Sequence, residues 1–357
     1  MRKIIADDKN VKLLGRTWLR GDTLWMALSG TGAAFRYTGR HLVMTILGGP
    51  VALDPGQKNE HARIAFYVNG ERLIEDVIVT AEKSYTVFES ETEETVEVRL
   101  IKLSESAMSV IGLKAMEVAD SDLIEPVEPR AHRIEFIGDS ITCGYGVDDM
   151  DLTHEFSTAT EDVTKAYAYR TAEALNADYS MFSASGYGII SGYTGDPEKR
   201  EEQQLIPPYY ESMGFSRDAF GEAGSPTDIP WDFSKYTPEA VVINLGTNDD
   251  SYCLDMEERQ EWYAREYAAF LETVRSHYPA AEIFCAYGIM GDRLYAYVCK
   301  AVELFRQRTG DERVHTVYLT PQNDSDGYVV NYHPVAAVHA RAAGEMAAAI
   351  RETMGWT

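Results

Sequence analysis

The chain has 357 residues, of which 45% are hydrophobic, 25% are charged and 11% are aromatic, as in a globular protein of about two domains. Its formal net charge of −24 disfavours nucleic acid and anionic membranes as partners, because both carry negative charge. The four cysteines form no CxxC pair, which argues against a disulfide framework or a zinc site.

The N-terminus, MRKIIADDKN, has no apolar stretch and no small-residue cleavage site, so we expect a cytoplasmic protein. If a leader has been removed before residue 1, the protein is instead expected to be extracellular. No apolar run approaches the roughly 20 residues that a membrane-spanning helix needs.

Residues 1–128 are predicted to form an all-β domain. Short apolar or alternating segments recur between turn residues at residues 23–28, 33–37, 42–47, 63–68, 73–79, 84–88, 95–103 and 110–118. Asn69-Gly70, between two alternating segments, is a strong hairpin signal. Short strands at this spacing predict a β-sandwich or jelly roll.

A linker is predicted at residues 120–130, where two prolines interrupt any regular element. Beyond it, residues 129–357 are predicted to form an α/β domain, because apolar strands alternate with helical segments. The expected strands are residues 134–137, 179–183, 240–245, 282–287 and 314–319, and the expected helices are 163–175, 258–277, 294–308 and 335–354. This alternation predicts a parallel sheet with helices on both faces.

Active sites in parallel sheets lie at the carboxyl ends of the strands. Residues 192–236 fit neither the strand nor the helix pattern, and we expect them to form a wall of such a site.

The most informative segment is Gly138-Asp139-Ser140, which directly follows the first strand of this domain. A serine on a tight turn there presents its hydroxyl to the crevice, as a nucleophile requires. The alternative is a simple turn in which the aspartate or the serine caps the next helix.

Three further segments, SGYG, LGTND and YHP, stand where other strands should end. The N–H of Gly186 and the amide of Asn248 can donate to a developing oxyanion, and His333 can act as a general base. Singly, these residues are also explained as a turn glycine, a helix N-cap and a residue before a proline. Together with Ser140, on four strand ends, they predict a hydrolytic site.

The blocks GDSIT, SGYG, GTND and HP resemble the four blocks of the SGNH (GDSL-like) hydrolases. With the β domain and its Gly15-Arg16-Thr17, the whole chain resembles carbohydrate esterase family 2, which pairs an N-terminal jelly roll with a flavodoxin-like SGNH domain. The resemblance implies removal of acetyl groups from hemicellulose of the xylan or mannan type, without a cofactor. It leaves the oligomeric state open. No HExxH motif, P-loop or complete GxGxxG motif appears in the sequence, so no metal, nucleotide or dinucleotide site is predicted.

The resemblance also implies roles for individual residues. Ser140 would be the nucleophile, and His333 would be the general base and later the acid for the leaving group. The backbone N–H groups of Ser140 and Gly186, together with the Asn248 side chain, would form the oxyanion hole.

One departure concerns the group that orients the histidine. SGNH enzymes usually carry an aspartate three residues before it, where this chain has Val330. Some members resemble Ser–His dyads in which a backbone carbonyl orients the ring, and we expect a dyad here. The alternatives are the Asn331 side chain and a displaced carboxylate, Asp324 or Asp326.

Aromatic faces suit the C–H faces of sugars, and several aromatic residues lie in or near the site-forming segments. The substrate-binding candidates are Asp139, Tyr187, Tyr193, Trp231 and Tyr332. For each aromatic residue the alternative is a packing role.

Two other functions remain open from the residues alone. One is an SGNH lipase or thioesterase, and the other is a carbohydrate-binding protein that has lost catalysis. The missing aspartate keeps the second alternative open.

Overall fold

The fold is described from a computed structural model that covers residues 2–357. The chain divides into two compact units. The first comprises the residues up to Pro129 with Phe156–Glu161 and Glu211–Trp231, and the second comprises Arg130–Glu155, Asp162–Tyr210 and Asp232–Thr357. Two segments from beyond the predicted boundary after residue 128 therefore group with the first unit, which no sequence pattern indicated.

The first unit is built on an antiparallel sheet with ten strands among residues 2–357. They are β1 (Arg2–Ile4), β2 (Lys12–Leu14), β3 (Thr17–Arg20), β4 (Thr23–Met26), β5 (Gly32–Gly48), β6 (Arg63–Val68), β7 (Glu71–Val77), β8 (Glu82–Lys102), β9 (Ile111–Val118) and β10 (Leu123–Pro126). The main order is β3-β4-β9-β5-β8-β6-β7, with β1 paired to β9 and with β2 and β10 paired to β5.

Strands β5 and β8 are longer than predicted, because each joins two of the expected strands into one. Their pairing shifts register between Gly39 and His41, an irregularity that lets long strands bend. Alternate side chains such as Phe35, Tyr37 and Leu42 enter the buried core of the unit. The predicted all-β class is confirmed, in the form of a curled antiparallel sheet.

The predicted hairpin at Asn69-Gly70 is confirmed. Both residues have positive φ, 50° and 84°, which is the requirement of a type I′ turn. The turn joins β6 to β7, and it fixes their register.

The second unit is a parallel sheet with helices. Its principal strands are β11 (His132–Gly138), β12 (Ala177–Ser183), β13 (Ala240–Asn244), β14 (Glu282–Gly288) and β15 (Val314–Leu319), and β16 (Tyr328–Val329) pairs with β17 (His333–Pro334) in a short hairpin. The helices are α1 (Ser140–Cys143), α2 (Tyr167–Ala174), α3 (Thr247–Cys253), α4 (Glu257–His277), α5 (Tyr295–Thr309) and α6 (Ala336–Met354).

The five long strands of this unit lie in the order β12-β11-β13-β14-β15, all parallel. This order, 2-1-3-4-5, is the flavodoxin-like one, so the predicted fold class is confirmed. Helix α2 packs with α6, and α4 packs with α5. Within residues 2–357, the structure has no helix whose length and apolar character would let it cross a bilayer.

Residues 192–236 contain only short 3₁₀ turns and isolated bridges. The part up to Tyr210 belongs to the α/β unit, whereas Glu211–Trp231 belongs to the β unit. Their expected role as a wall of the site stays a prediction.

Candidate active site

The site begins at the carboxyl end of β11, the strand that lies between β12 and β13. Gly138 ends this strand, and a Cβ there would lie 2.0 Å from Oγ1 of Thr142, so the turn requires glycine. The Asp139 carboxylate caps α1 by accepting from the N–H of Ile141 at 3.0 Å. The two interpretations of this segment, a capping turn and a turn that carries a nucleophilic serine, therefore describe one structure, since Asp139 caps α1 and Ser140 is the first residue of that helix.

Ser140 and His333 are brought together, as the sequence predicted. The Ser140 Oγ and His333 Nε2 atoms are 2.9 Å apart although 193 residues separate them in the chain. On its other side, the imidazole Nδ1 lies 3.1 Å from the main-chain oxygen of Asn331. Because a carbonyl can only accept, Nδ1 carries the proton, and Nε2 is left as the acceptor for the serine hydroxyl.

The turn that precedes His333 has an uncommon backbone. Asn331 and Tyr332 both adopt positive φ, 53° and 59°, in the left-handed region. Such a conformation is costly for a tyrosine, and it is typical of functional sites where the surroundings hold it in place. Here it directs the Asn331 carbonyl at the imidazole, while the Asn331 side chain donates to the hydroxyl of Tyr145 at 2.7 Å.

The structure does not bring either candidate carboxylate to the imidazole. Asp326 pairs with the guanidinium of Arg341 at 2.9 Å, and Asp324 accepts from the hydroxyl of Tyr328 at 2.8 Å. The histidine is oriented by a main-chain carbonyl, as expected for a dyad, and not by the Asn331 side chain.

Burial lowers the pKa of the His333 imidazole to about 4, while hydrogen bonds to the Asn331 and Val330 carbonyls oppose this shift. The ring is therefore neutral at pH 7. A neutral imidazole with an accepting Nε2 is the form that can take a proton from Ser140.

Of the three residues predicted to bind the oxyanion, Gly186 follows β12 and Asn248 follows β13. Gly186 has a φ of +84°, which favours glycine, and its carbonyl accepts from the N–H of Tyr193. The side-chain amide of Asn248 donates a hydrogen bond from Nδ2 to the Tyr187 carbonyl at 2.8 Å. Its other amide hydrogen faces Oδ2 of Asp139 at 3.4 Å, a weak contact that an oxyanion can replace.

Asp249 was missed by sequence reasoning. It is fully buried, and its Oδ1 accepts from three consecutive backbone N–H groups, those of Ile189, Ile190 and Ser191, at 2.7–3.0 Å. Burial raises its pKa to about 6, against the lowering effect of these bonds. This carboxyl group ties the loop that follows Gly186 to the residue next to Asn248.

Tyr145 was also missed. Its ring stacks on the imidazole of His333, with centroids 4.1 Å apart and planes inclined by 26°. The only sequence signal is its place between two glycines, directly after the nucleophile helix.

The predicted substrate-binding residues occupy different environments. Tyr193 and Tyr332 are 64% and 63% exposed, as a sugar-stacking role requires. Tyr187 is half-buried and meets Tyr209 edge-on at 6.3 Å. Trp231 belongs to the first unit and is only 7% exposed, with the Arg16 guanidinium over its ring. Asp139 is buried, where it caps a helix. Asp139 and Trp231 thus expose little surface to a substrate, and their contact with it stays a prediction.

Both parts of the chain match known protein families. Residues 136–347 match the GDSL-like lipase/acylhydrolase family, and residues 13–127 match the carbohydrate esterase 2 N-terminal domain. The chain therefore belongs to the GDSL-like lipase/acylhydrolase family. Solved structures of family two carbohydrate esterases are among its structural neighbours, which, with the match of the N-terminal domain, confirms the resemblance seen in the sequence.

Three similar proteins illustrate this relationship. The cellulase/esterase CelE of Acetivibrio thermocellus is 32% identical over 262 residues, which cover 72% of this chain but only 30% of CelE. An acetylxylan esterase / glucomannan deacetylase of Cellvibrio japonicus is 24% identical over 99% of this chain and 91% of its own length. A family two carbohydrate esterase from Clostridium thermocellum, solved with cellohexaose, superposes with a TM-score of 0.83, 28% identity, and coverage of 97% and 100% of the two chains.

Proposed function

We propose that this protein is a carbohydrate O-acetylesterase that removes acetyl groups from hemicellulose oligosaccharides of the xylan or mannan type. The observation that carries the proposal is the 2.9 Å contact of Ser140 Oγ with His333 Nε2, on an imidazole whose Nδ1 bonds a carbonyl. The names of the relatives, among them an acetylxylan esterase / glucomannan deacetylase, support the same class of reaction.

The first half of the proposed reaction acylates the serine. His333 Nε2 takes the hydroxyl proton as Ser140 Oγ attacks the acetyl carbonyl, and the carbonyl oxygen becomes an oxyanion. The N–H groups of Ser140 and Gly186 and the amide of Asn248 would hold that oxyanion. When the tetrahedral intermediate collapses, the sugar oxygen leaves with the proton from His333, and acetyl-Ser140 remains.

The second half reverses these roles. A water molecule gives its proton to His333 and attacks acetyl-Ser140, and the oxyanion hole is used again. Acetic acid leaves as Ser140 regains its proton from the imidazole, and it ionises to acetate by giving its proton to solvent. The proton transfers in both halves pass through the His333 imidazole, and the proposed reaction calls for no cofactor.

Two features favour a neutral glycan as the substrate. Tyr193 and Tyr332 present exposed aromatic faces of the kind that pack on sugar rings. Tyr332 directly precedes the proposed base, His333. The net charge of −24 disfavours acidic glycans and leaves neutral acetylated chains unaffected.

The direct test is acetate release from acetylated xylo- and manno-oligosaccharides by the wild type and by Ser140→Ala. We expect turnover by the wild type and none by Ser140→Ala, while Ser276→Ala, at an exposed serine of α4, should match the wild type. Hydrolysis of long-chain acyl esters without activity on sugars would show a lipase instead. Sugar binding without turnover by the wild type would show a binding protein, and either result would overturn the proposal.

A further inference from the structure

Tyr145 is tied to the nucleophile through the backbone. Helix α1 ends after a single turn because Gly144 adopts a left-handed conformation with φ of +80°. A Cβ at that position would lie 2.5 Å from the carbonyl oxygen of Asp162, so only glycine fits. The N–H of Tyr145 then donates to the Ser140 carbonyl at 3.1 Å, and the chain reversal directs the tyrosine towards the catalytic crevice.

The side chain of Tyr145 contacts both His333 and Asn331, the residue whose carbonyl orients the imidazole. Its ring lies against the ring of His333, and its hydroxyl accepts from Nδ2 of Asn331 at 2.7 Å. Asn331 in turn accepts from His333 Nδ1 through its own carbonyl. The three residues therefore form a closed set of contacts: ring on ring, amide to hydroxyl, and imidazole to carbonyl.

The Asn331 carbonyl needs such support, because its direction depends on a strained turn. The turn is held on one side by the Val330 N–H, which donates to the Asp149 carbonyl at 2.9 Å. On the other side, Gln322 Nε2 donates to the Tyr332 carbonyl at 2.8 Å. Asn331 lies between these two anchored residues, and its own side chain is held by the hydrogen bond to the Tyr145 hydroxyl.

We propose that Tyr145 is a positioning residue for this Ser–His pair. It helps to orient the imidazole of His333, a role that an aspartate has in other SGNH enzymes and that Val330 cannot fill here. Its hydroxyl fixes Asn331, and thereby the carbonyl on Nδ1, while its ring fixes the plane of the imidazole. When His333 accepts the serine proton, the aromatic face also lies against the resulting cation, an arrangement that stabilises imidazolium without a carboxylate. The inference rests on the proposed function, because it assumes that His333 is the base.

A double-mutant cycle tests the route through Asn331. Tyr145→Phe keeps the stacked ring and removes the hydroxyl, and Asn331→Gly removes the amide but suits the left-handed turn. Each variant should lower kcat about three- to tenfold with KM within about twofold, since one neutral hydrogen bond is lost. The double variant should be no slower than the slower single variant, because both changes break the same contact.

Two further variants separate positioning from packing. Tyr145→Leu removes the ring as well, and we expect kcat to fall about a hundredfold. Asn331→Asp can accept from the tyrosine hydroxyl, so its kcat should exceed that of Asn331→Gly, and equal kcat values of the two variants would contradict the role of this contact. Tyr318→Phe is the matched control: it loses an exposed hydroxyl that contacts Asp292, and its kinetics should not change.

Three other results would overturn the inference: an unchanged kcat in Tyr145→Phe, a change confined to KM, or additive losses in the double variant. If Tyr145→Leu fails to fold, as judged by circular dichroism, the cycle of Tyr145→Phe and Asn331→Gly still decides the question. Failure of the proposed function looks different, since the wild type itself would then release no acetate.

Discussion

The Nδ1 atom of His333 bonds the main-chain oxygen of Asn331 at 3.1 Å, where many serine hydrolases place a carboxylate. A carbonyl fixes the tautomer and the orientation of the ring, but it supplies no full negative charge to the imidazolium. The basicity of the ring then depends on its burial and on the groups that hold it in place.

The carboxylates near this turn should contribute little to catalysis. Because Asp326 pairs with Arg341 and Asp324 with Tyr328, we expect Asp326→Asn and Asp324→Asn to keep kcat within about threefold of the wild type. Steady-state kinetics on an acetylated oligosaccharide would measure this. A loss of about a thousandfold or more in either variant would indicate a triad and contradict the dyad.

Asn248 should matter mainly in the transition state. Replacing an oxyanion-hole donor typically costs about 2.7–4 kcal/mol, so Asn248→Ala should lower kcat by about 10²–10³ with little change in KM. Asn323→Ala, at an exposed asparagine, serves as the control. If KM rises while kcat is kept, Asn248 binds the ground-state substrate and is not an oxyanion donor.

Asp249 should act through the loop that it anchors. Asp249→Ala would leave three buried backbone N–H groups without their acceptor, so we expect a large loss of both stability and kcat. Asp249→Asn keeps an oxygen at the Oδ1 position and should be much milder. Equal effects of the two substitutions, measured by chemical denaturation and by kcat, would show that the acceptor oxygen is not what holds the loop.

The same residue predicts how stability depends on pH. Its pKa in the folded state, about 6, lies above the ordinary value of 3.8, so the folded protein binds this proton more tightly than the unfolded chain. As pH rises from about 4 to above 6, the wild type should therefore lose about 3 kcal/mol of unfolding free energy relative to Asp249→Asn, which does not titrate. Denaturant unfolding of both proteins across this range measures the difference, and a constant or opposite difference would contradict the assignment.

His333 should stay neutral to unusually low pH. Burial lowers the pKa of its imidazole to about 4, whereas the neighbouring Asp149 carboxylate raises the pKa of the exposed His154 above its ordinary value. In an NMR titration, His154 should therefore protonate well before His333 as pH falls. An imidazole of His333 that titrates at 6.5 or above would show that the ring is neither desolvated nor poised as a neutral base.

Much of the fold could be predicted from local patterns. The strand and helix ends of the α/β unit agree with expectation within a few residues, because each element has its own apolar periodicity and turn residues. The grouping of Glu211–Trp231 with the β unit could not be predicted in this way. It depends on contacts distant in sequence, such as the Asp218 carboxylate accepting from the N–H groups of Val51 and Val110.

Those parts of the site that depend on the chemistry of particular side chains could be predicted from the sequence. Ser140 and His333 stand at strand ends in recognisable blocks, and the structure joins them. The orienting atom is a main-chain oxygen, which every residue has, so no residue type marks it. Its direction comes from the left-handed turn at Asn331 and Tyr332, and the contact with Tyr145 spans 186 residues of sequence.

The most direct test of the account is to look for the covalent intermediate. The enzyme would be mixed with an acetylated xylo-oligosaccharide, quenched in acid within one turnover, digested, and analysed by mass spectrometry. We predict an acetyl group on Ser140 in the wild type and no acetylated peptide in Ser140→Ala. Acetate release without any acetyl-Ser140, or acetylation of another residue during turnover, would contradict the mechanism.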